Sequence, residues 1–300
     1  MPSTSASRPA TGTPATTPVG AHITIGNGLA AHTFPLAREL GAEALQVFAG
    51  NPRGWAMTHG DPNQDKEFRD LCYKHAVPAF VHAPYLVNLG SPTEQTYRSS
   101  VDMVAHNLAR GAQIGAQGVV VHTGSAVAEG NVDSAMKQVR EALLPMLDAL
   151  GADAPDVLLE PTAGQGRSLC AGVDDLRPYL EHLDHHPKVG VCLDTCHVFA
   201  AGAPLDEPGG MTRTLDRLTE IAGPHRLRLV HANDSKDARG SFHDRHERVG
   251  RGRIGLDAFA EMFAHPALAG VPVLLETPGG VEADREDIPL LKSLRPGPAR

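Results

Sequence analysis

VGVCLDT, residues 189–195, is a run of five apolar or small residues that ends in an acid and a threonine. It is short for a helix and too apolar for a strand with one face in water. A strand apolar on both faces is what a parallel strand becomes when helices cover one side and a barrel interior fills the other. Asp194 then stands at the carboxyl end of the strand, on the face it shares with Cys192 two residues earlier.

Seven more runs repeat the pattern: HITIG (22–26), EALQVFA (43–49), AFVHAP (79–84), GVVVHT (118–123), DVLLEP (156–161), LRLVHAND (227–234) and PVLLETP (272–278). Helical stretches such as DSAMKQVREALLPMLDAL (133–150) lie between them, and Ser91 with Glu94 reads as a capping box opening a helix that runs to about Ile114. Eight alternations of strand and helix predict an α/β fold, a (β/α)8 TIM barrel with its active site at the C-terminal rim of the strands. By pattern alone a doubly wound open sheet is the alternative.

Composition sets the frame. The 300 residues, 41% hydrophobic and 21% charged, suffice for one large core. Residues 1–19, rich in Pro, Ser, Thr and Ala, are expected to be a disordered leader, 20–295 a single barrel catalytic domain, and 296–300 a flexible tail. No apolar run reaches the roughly 18 residues of a membrane span. Cysteines at 72, 170, 192 and 196 form no CxxC pair, which points to a reducing, cytoplasmic setting. Cys192 and Cys196 flank Asp194 and are read as packing residues rather than metal ligands.

The strand ends carry the chemistry. His82, His122, Glu160, Asp194, His231 and Glu276 end or nearly end six consecutive strands, and Phe80, Val120, Leu158, Cys192, Leu229 and Leu274 sit two residues before them. The same face therefore carries barrel filling below and titratable groups above. Taken singly, a strand-end His is more often a hydrogen-bonded structural residue, by roughly three to one. Six together would repel or lose their charges unless cations compensated them. His197 lies just beyond Asp194, and Asp244 and His246 stand two apart in FHDRHERVGRGRIG (242–255). One ion takes about three or four protein ligands, so nine suggest two or three ions. Imidazole and carboxylate donors suit zinc, with manganese an alternative at one site.

HAPYLVNLGSP (82–92), LEPTAGQG (159–166), GVCLDTCHVFAAG (190–202), HANDSKDARGSFHDRHERVGRGRIG (231–255) and LLETP (274–278) resemble the motifs of the endonuclease IV (deoxyribonuclease IV) family of abasic-site endonucleases. The resemblance runs from about Gly20 to about Leu294. It implies three zinc ions: one on His82, His122 and Glu160; one on Glu160 as a bridge with Asp194, His231 and Glu276; one on His197, Asp244 and His246. It also implies that Arg53, Tyr85 and Leu86 enter the DNA. Pro161, Gly54 and Arg251 depart from the family pattern without removing a ligand.

The activity so implied is hydrolysis of the phosphodiester 5′ to an abasic site in duplex DNA, leaving a 3′-hydroxyl and a 5′-deoxyribose phosphate. Glu160 and Glu276 would be the catalytic carboxylates, with a hydroxide shared by two ions as nucleophile. Lys236, Arg245, Arg248, Arg251 and Arg253 are expected to face the DNA backbone, while His243 and Glu247 are read as surface residues. A formal net charge of −8 argues against a nucleic-acid partner, but contact with phosphate is local, and bound cations offset much of that charge. The expected partner is double-stranded DNA with abasic or 3′-blocked damage, met by a monomer in the cytoplasm at the nucleoid. The competing reading is a metal-dependent sugar isomerase or epimerase on a similar barrel, which would need one or two ions rather than three.

Overall fold

The computed structural model describes residues 16–297. Its strands are β1 (Val19–His22), β2 (Leu45–Phe48), β3 (Ala79–His82), β4 (Gly118–His122), β5 (Asp156–Glu160), β6 (Val189–Asp194), β7 (Leu227–His231), β8 (Asp234–Ser235), β9 (His246–Glu247) and β10 (Val273–Leu275). All but β8 and β9 run parallel and close into a barrel, with β10 pairing back onto β1. The expected α/β barrel is therefore the fold, and the open sheet is excluded. Helices α1 (Phe34–Glu39), α2 (Pro62–His75), α3 (Glu94–Ile114), α4 (Val132–Ala149), α5 (Leu176–His182), α6 (Thr195–Ala200), α7 (Gly210–Ala222), α8 (Leu256–Ala264) and α9 (Gly280–Ser293) connect the strands. Among the described residues no helix is long and apolar enough to cross a membrane.

Two separate cores follow from the alternation of side chains along a strand. Outward residues such as Val81, Val119, Val121, Leu159, Val191 and Val230 pack with the helices into one large cluster. Inward residues Ala44, Phe80, Val120, Leu158, Cys192, Leu229 and Leu274 form a second cluster that fills the barrel. Gly20 completes this layer from β1; a Cβ there would fall 1.7 Å from the Ala44 carbonyl oxygen, so only glycine fits.

A register shift between β6 and β7 matters for the site. Val191 pairs with Leu227 but Cys192 with Leu229, so Arg228 is an extra residue in the ladder. Leu227 consequently faces the outer core while Leu229 faces inward, and Asp194 lies opposite His231 rather than Val230.

Three expectations need correction. The first strand is Val19–His22, not 22–26. HITIG has the more β-prone residues, but VGAH has the glycine that β2 demands. The leader is shorter than expected at its described end: Thr17 is buried, its hydroxyl donates to the Leu268 carbonyl at 2.6 Å, and Val19 is fully buried in β1. Residues 1–15 of that leader, and 298–300 of the expected tail, lie outside the described residues. The capping box does not form either. Thr93 occupies the cap of α3 without a side-chain bond, and Ser91 Oγ accepts the Thr93 N–H at 3.2 Å in a local turn.

Candidate metal centre

Two residues above the barrel-filling layer, each strand delivers one polar side chain to the C-terminal rim. Six are those anticipated: His82, His122, Glu160, Asp194, His231 and Glu276. Strands β1 and β2 add His22 and Gln46, which the sequence reading missed. The same two-residue offset would have found Gln46 from Ala44 within EALQVFA (43–49), and His22 from Gly20 had the first strand been placed correctly.

Glu160 is the hub, with no exposed surface. Its Oε2 lies 3.2 Å from His82 Nε2 and 3.3 Å from His122 Nε2. Its Oε1 lies 3.1 Å from His231 Nδ1 and 3.4 Å from His197 Nδ1. Glu276 Oε2 also lies 3.1 Å from His231 Nδ1. Donor atoms of His82, His122 and Glu160 all lie within 4.8 Å of one another, as do those of Glu160, Asp194, His231 and Glu276.

The third group depends on two local devices. Asp194 caps α6 by accepting the His197 N–H at 2.9 Å, which aims His197 back over the barrel. The antiparallel pair β8–β9 returns the 236–245 loop to the rim and sets His246 opposite Ser235. Asp244 then lies 3.3 Å from His197 Nε2 and 3.0 Å from His246 Nε2. Asp194, His197 and His246 also form a close cluster, so Asp194 stands between the second and third groups. Asn233 steadies it, donating to Asp194 Oδ2 at 2.7 Å and accepting the Glu276 N–H at 2.9 Å.

The donor set fits divalent cations on three counts. His246 Nε2 is buried without a hydrogen-bond partner although Asp244 Oδ1 is 3.0 Å away, so the two atoms are close yet not aimed at each other. The imidazole nitrogens that face away are tied down: Nδ1 of His82, His197 and His246 meet the carbonyl oxygens of Ala83 (2.6 Å), Pro161 (3.1 Å) and Glu276 (3.1 Å). Each ring thus presents Nε2 as a lone pair to the centre. Finally, the cluster attracts positive charge. Burial would raise the Glu160 carboxyl, but His231 and His122 overcome it and hold the group well below the usual carboxylate range. Burial would lower His231 and His246, but Glu276 and Glu160 around the first, and Asp194 and Asp244 around the second, push each up to about 9. Protons collect here for the reason cations would.

Cys192 belongs to the barrel-filling layer, as read from the sequence. Cys196 is also buried, and its sulfur comes within reach of Asp244 and His246. Burial and neighbouring carboxylates push both thiols up, away from the thiolate a metal needs. At Pro161 it is the backbone carbonyl that serves His197, and any residue supplies one.

Around the rim the anticipated DNA residues divide. Arg53, Tyr85 and Leu86 are exposed, and the Tyr85 ring stacks edge-on against Phe48 and His82 with centroids 5.3 and 5.6 Å away. Lys236 and Arg253 are exposed and make no ion pair among the described residues. Arg245 pairs loosely with Asp237 at 3.4 Å, and Arg251 with Glu286 at 3.3 Å. Arg248 differs: its guanidinium grips Asp287 (2.7 and 2.9 Å) and Glu286 (2.6 Å) on α9, so it anchors the loop instead of presenting charge to a ligand. His243 is exposed beside Asp237, and Glu247 is half-buried, accepting the Arg248 N–H.

A cavity of about 410 Å³ opens beside the cluster, between Tyr85, His122, Ser125, Thr162, His197 and Asp244. A larger recess of about 560 Å³ lies behind Phe242, where Asp174 neutralises Arg217, and none of the nine clustered side chains lines it.

A family profile described as a xylose isomerase-like TIM barrel matches residues 34–294. A protein of Streptomyces avermitilis named probable endonuclease 4 is 55% identical over 281 residues, covering 93% of this chain and 91% of its own. The crystal structure of endonuclease IV from Thermus thermophilus superposes with a TM-score of 0.81 at 33% identity, covering 92% of this chain and 98% of that one. A D-tagatose 3-epimerase-like protein superposes at 0.70 with 19% identity, a likeness of fold.

Proposed function

This chain belongs to the endonuclease IV family of xylose isomerase-like TIM barrels, and from that premise we propose that it is a zinc-dependent DNA repair nuclease that cuts 5′ to abasic sites in duplex DNA. The products would be a 3′-hydroxyl and a 5′-deoxyribose phosphate. The observation that carries the reading is the convergence of nine side chains at one rim: eight fall in three close groups linked through Glu160 and Asp194, and Asp244 lies within 3.3 Å of His197 and 3.0 Å of His246.

His82, His122 and Glu160 would hold one ion; Glu160, Asp194, His231 and Glu276 a second; His197, Asp244 and His246, with Asp194 beside them, a third. When bound, such ions supply Lewis-acid charge to a phosphodiester and lower the pKa of coordinated water to about 7. The chain's own groups prepare that chemistry. Glu160 turns one oxygen to each of the first two groups, which fixes their separation. Glu276 brings a second carboxylate to the second group, 3.1 Å from His231 Nδ1. Tyr85 lines the 410 Å³ cavity and Leu86, next to it in the chain, is exposed; both would wedge into a base stack. A nucleotide lacking its base is cheaper to extrude, which favours an abasic site. Arg53 would enter the duplex beside Tyr85 and Leu86, and Lys236, Arg245, Arg251 and Arg253 would meet phosphates along the rim, on a monomer whose open face leaves room for the duplex.

The sugar isomerase alternative loses to this reading because His197, Asp244 and His246 build a third group beyond what one or two ions need. The test is direct. A duplex carrying one abasic analogue should be nicked 5′ to the lesion, chelator should abolish nicking, and elemental analysis should give about three metals per chain. One metal per chain, or an intact duplex with metal present, would overturn it.

A further inference from the structure

We propose that Gln46 is the positioning residue that makes His231 a ligand through Nδ1 and aims Glu276 at the same ion; this rests on the metal-dependent reading above. Gln46 has no exposed surface and stands within β2, on the inward face two residues after Ala44. Its Oε1 lies 3.0 Å from His231 Nε2, and its Nε2 lies 2.7 Å from Glu276 Oε1. Only one orientation of the amide satisfies both contacts. The amide nitrogen must donate to the carboxylate, so the amide oxygen must accept from the imidazole. That fixes the proton of His231 on Nε2. The lone pair is left on Nδ1, which points between Glu160 Oε1 and Glu276 Oε2 at 3.1 Å from each.

His231 thereby differs from its neighbours. His82, His197 and His246 each give Nδ1 to a backbone carbonyl and present Nε2 inward. Among the described residues no backbone carbonyl serves His231, whose Nε2 is held by a side chain from another barrel strand. The amide also selects which Glu276 oxygen is free. Oε1 is occupied by Gln46 and lies 3.1 Å from His22 Nδ1, leaving Oε2 for the cation. One residue thus orients two of the four donors in the second group.

The experiment uses the full-length chain loaded with zinc. Bound zinc is counted across a graded series of chelator concentrations for the native protein, for Gln46→Met (near-isosteric, no hydrogen bonds) and for Gln46→Glu (keeps an oxygen toward His231). Ring carbon shifts of His231 report which nitrogen is ligated. The expected results are Nδ1 ligation in the native protein and loss of one zinc per chain from Gln46→Met at about 10–100-fold lower chelator. Gln46→Glu should retain Nδ1 ligation but still bind that zinc more weakly, since its second oxygen repels Glu276. Native-level zinc retention in Gln46→Met, or Nε2 ligation of His231 in the native protein, overturns the proposal while leaving the metal reading intact. A native protein that binds no zinc overturns both. If Gln46→Met does not fold, the native ligation mode and Gln46→Glu decide.

Discussion

Asp234 Oδ1 accepts the backbone N–H of Ile254 across twenty residues at 2.8 Å. The same buried carboxylate accepts Ser235 N–H at 2.8 Å, Gly250 at 3.0 Å, Gly252 at 3.1 Å and Gly255 at 3.3 Å. The Arg- and Gly-rich loop is therefore wrapped around an anion of the protein's own. Gly252 is obligatory because a Cβ would sit 2.4 Å from Asp234 Oδ1. Asp234→Ala should cost about 3 kcal/mol, because it strands several amides together. Amide hydrogen exchange at 250–255 should accelerate, while zinc on the His82, His122 and Glu160 group stays. Unchanged exchange there would reject the anchoring role.

Glu160→Ala removes the one group that faces both of the first two ligand clusters. Incision should fall below detection and bound metal should drop, with far-UV circular dichroism unchanged. Near-normal cutting would refute the bridging role.

Arg248 and Arg253 stand in the same loop, yet they should behave oppositely. Arg248 is spent on Asp287 and Glu286, so Arg248→Ala should lower Tm and leave the salt dependence of DNA binding alone. Arg253 is exposed, so Arg253→Ala should leave Tm alone and reduce the slope of log affinity against log salt by about 1. Identical behaviour of the two variants would contradict this division.

Trp55 is the only tryptophan in the chain, 37% exposed and two residues from Arg53. Its fluorescence should be quenched, and its access to iodide reduced, when an abasic duplex binds. A spectrum indifferent to saturating DNA would move the 50–61 loop off the interface.

Asp284 is buried on α9 with Asp287 nearby, and burial, reinforced by that negative charge, raises its carboxyl to about 6. The folded chain therefore holds this proton more tightly than the unfolded chain, whose carboxyl has its ordinary value of 3.8. Stability should fall as pH rises from about 4 to 6, and the full cost should persist above that. Asp284→Asn should raise stability at pH 7 by on the order of 1–3 kcal/mol, at about 1.4 kcal/mol per pKa unit, and gain almost nothing at pH 4. Equal gains at both pH values would show that ionisation is not the cause.

The nine clustered residues were legible because each reports its own environment. Phe80 two before His82 and Leu158 two before Glu160 are enough to place a polar group above a filled barrel, whatever the partner strand. His22 was not, because β1 is set by the fit of Gly20 against Ala44, which no local pattern records; Gln46 stands two after Ala44 in a correctly placed strand, but an amide carries no charge that calls for a cation. Asp234 looked no different from Asp237 in HANDSKD, and Arg248 like one of the four arginines of FHDRHERVGRGRIG. Their roles appear only when residues 250–255 fold back and α9 packs against the loop.

By itself the chain's order of residues determined the eight strand-and-helix alternations and the six polar residues that end strands, since strand periodicity is a short-range property. Tertiary structure alone decided which nitrogen each imidazole offers, which arginine is free and which carboxylate holds a loop. Those outcomes depend on hydrogen bonds between groups far apart in sequence, made only once the barrel has closed.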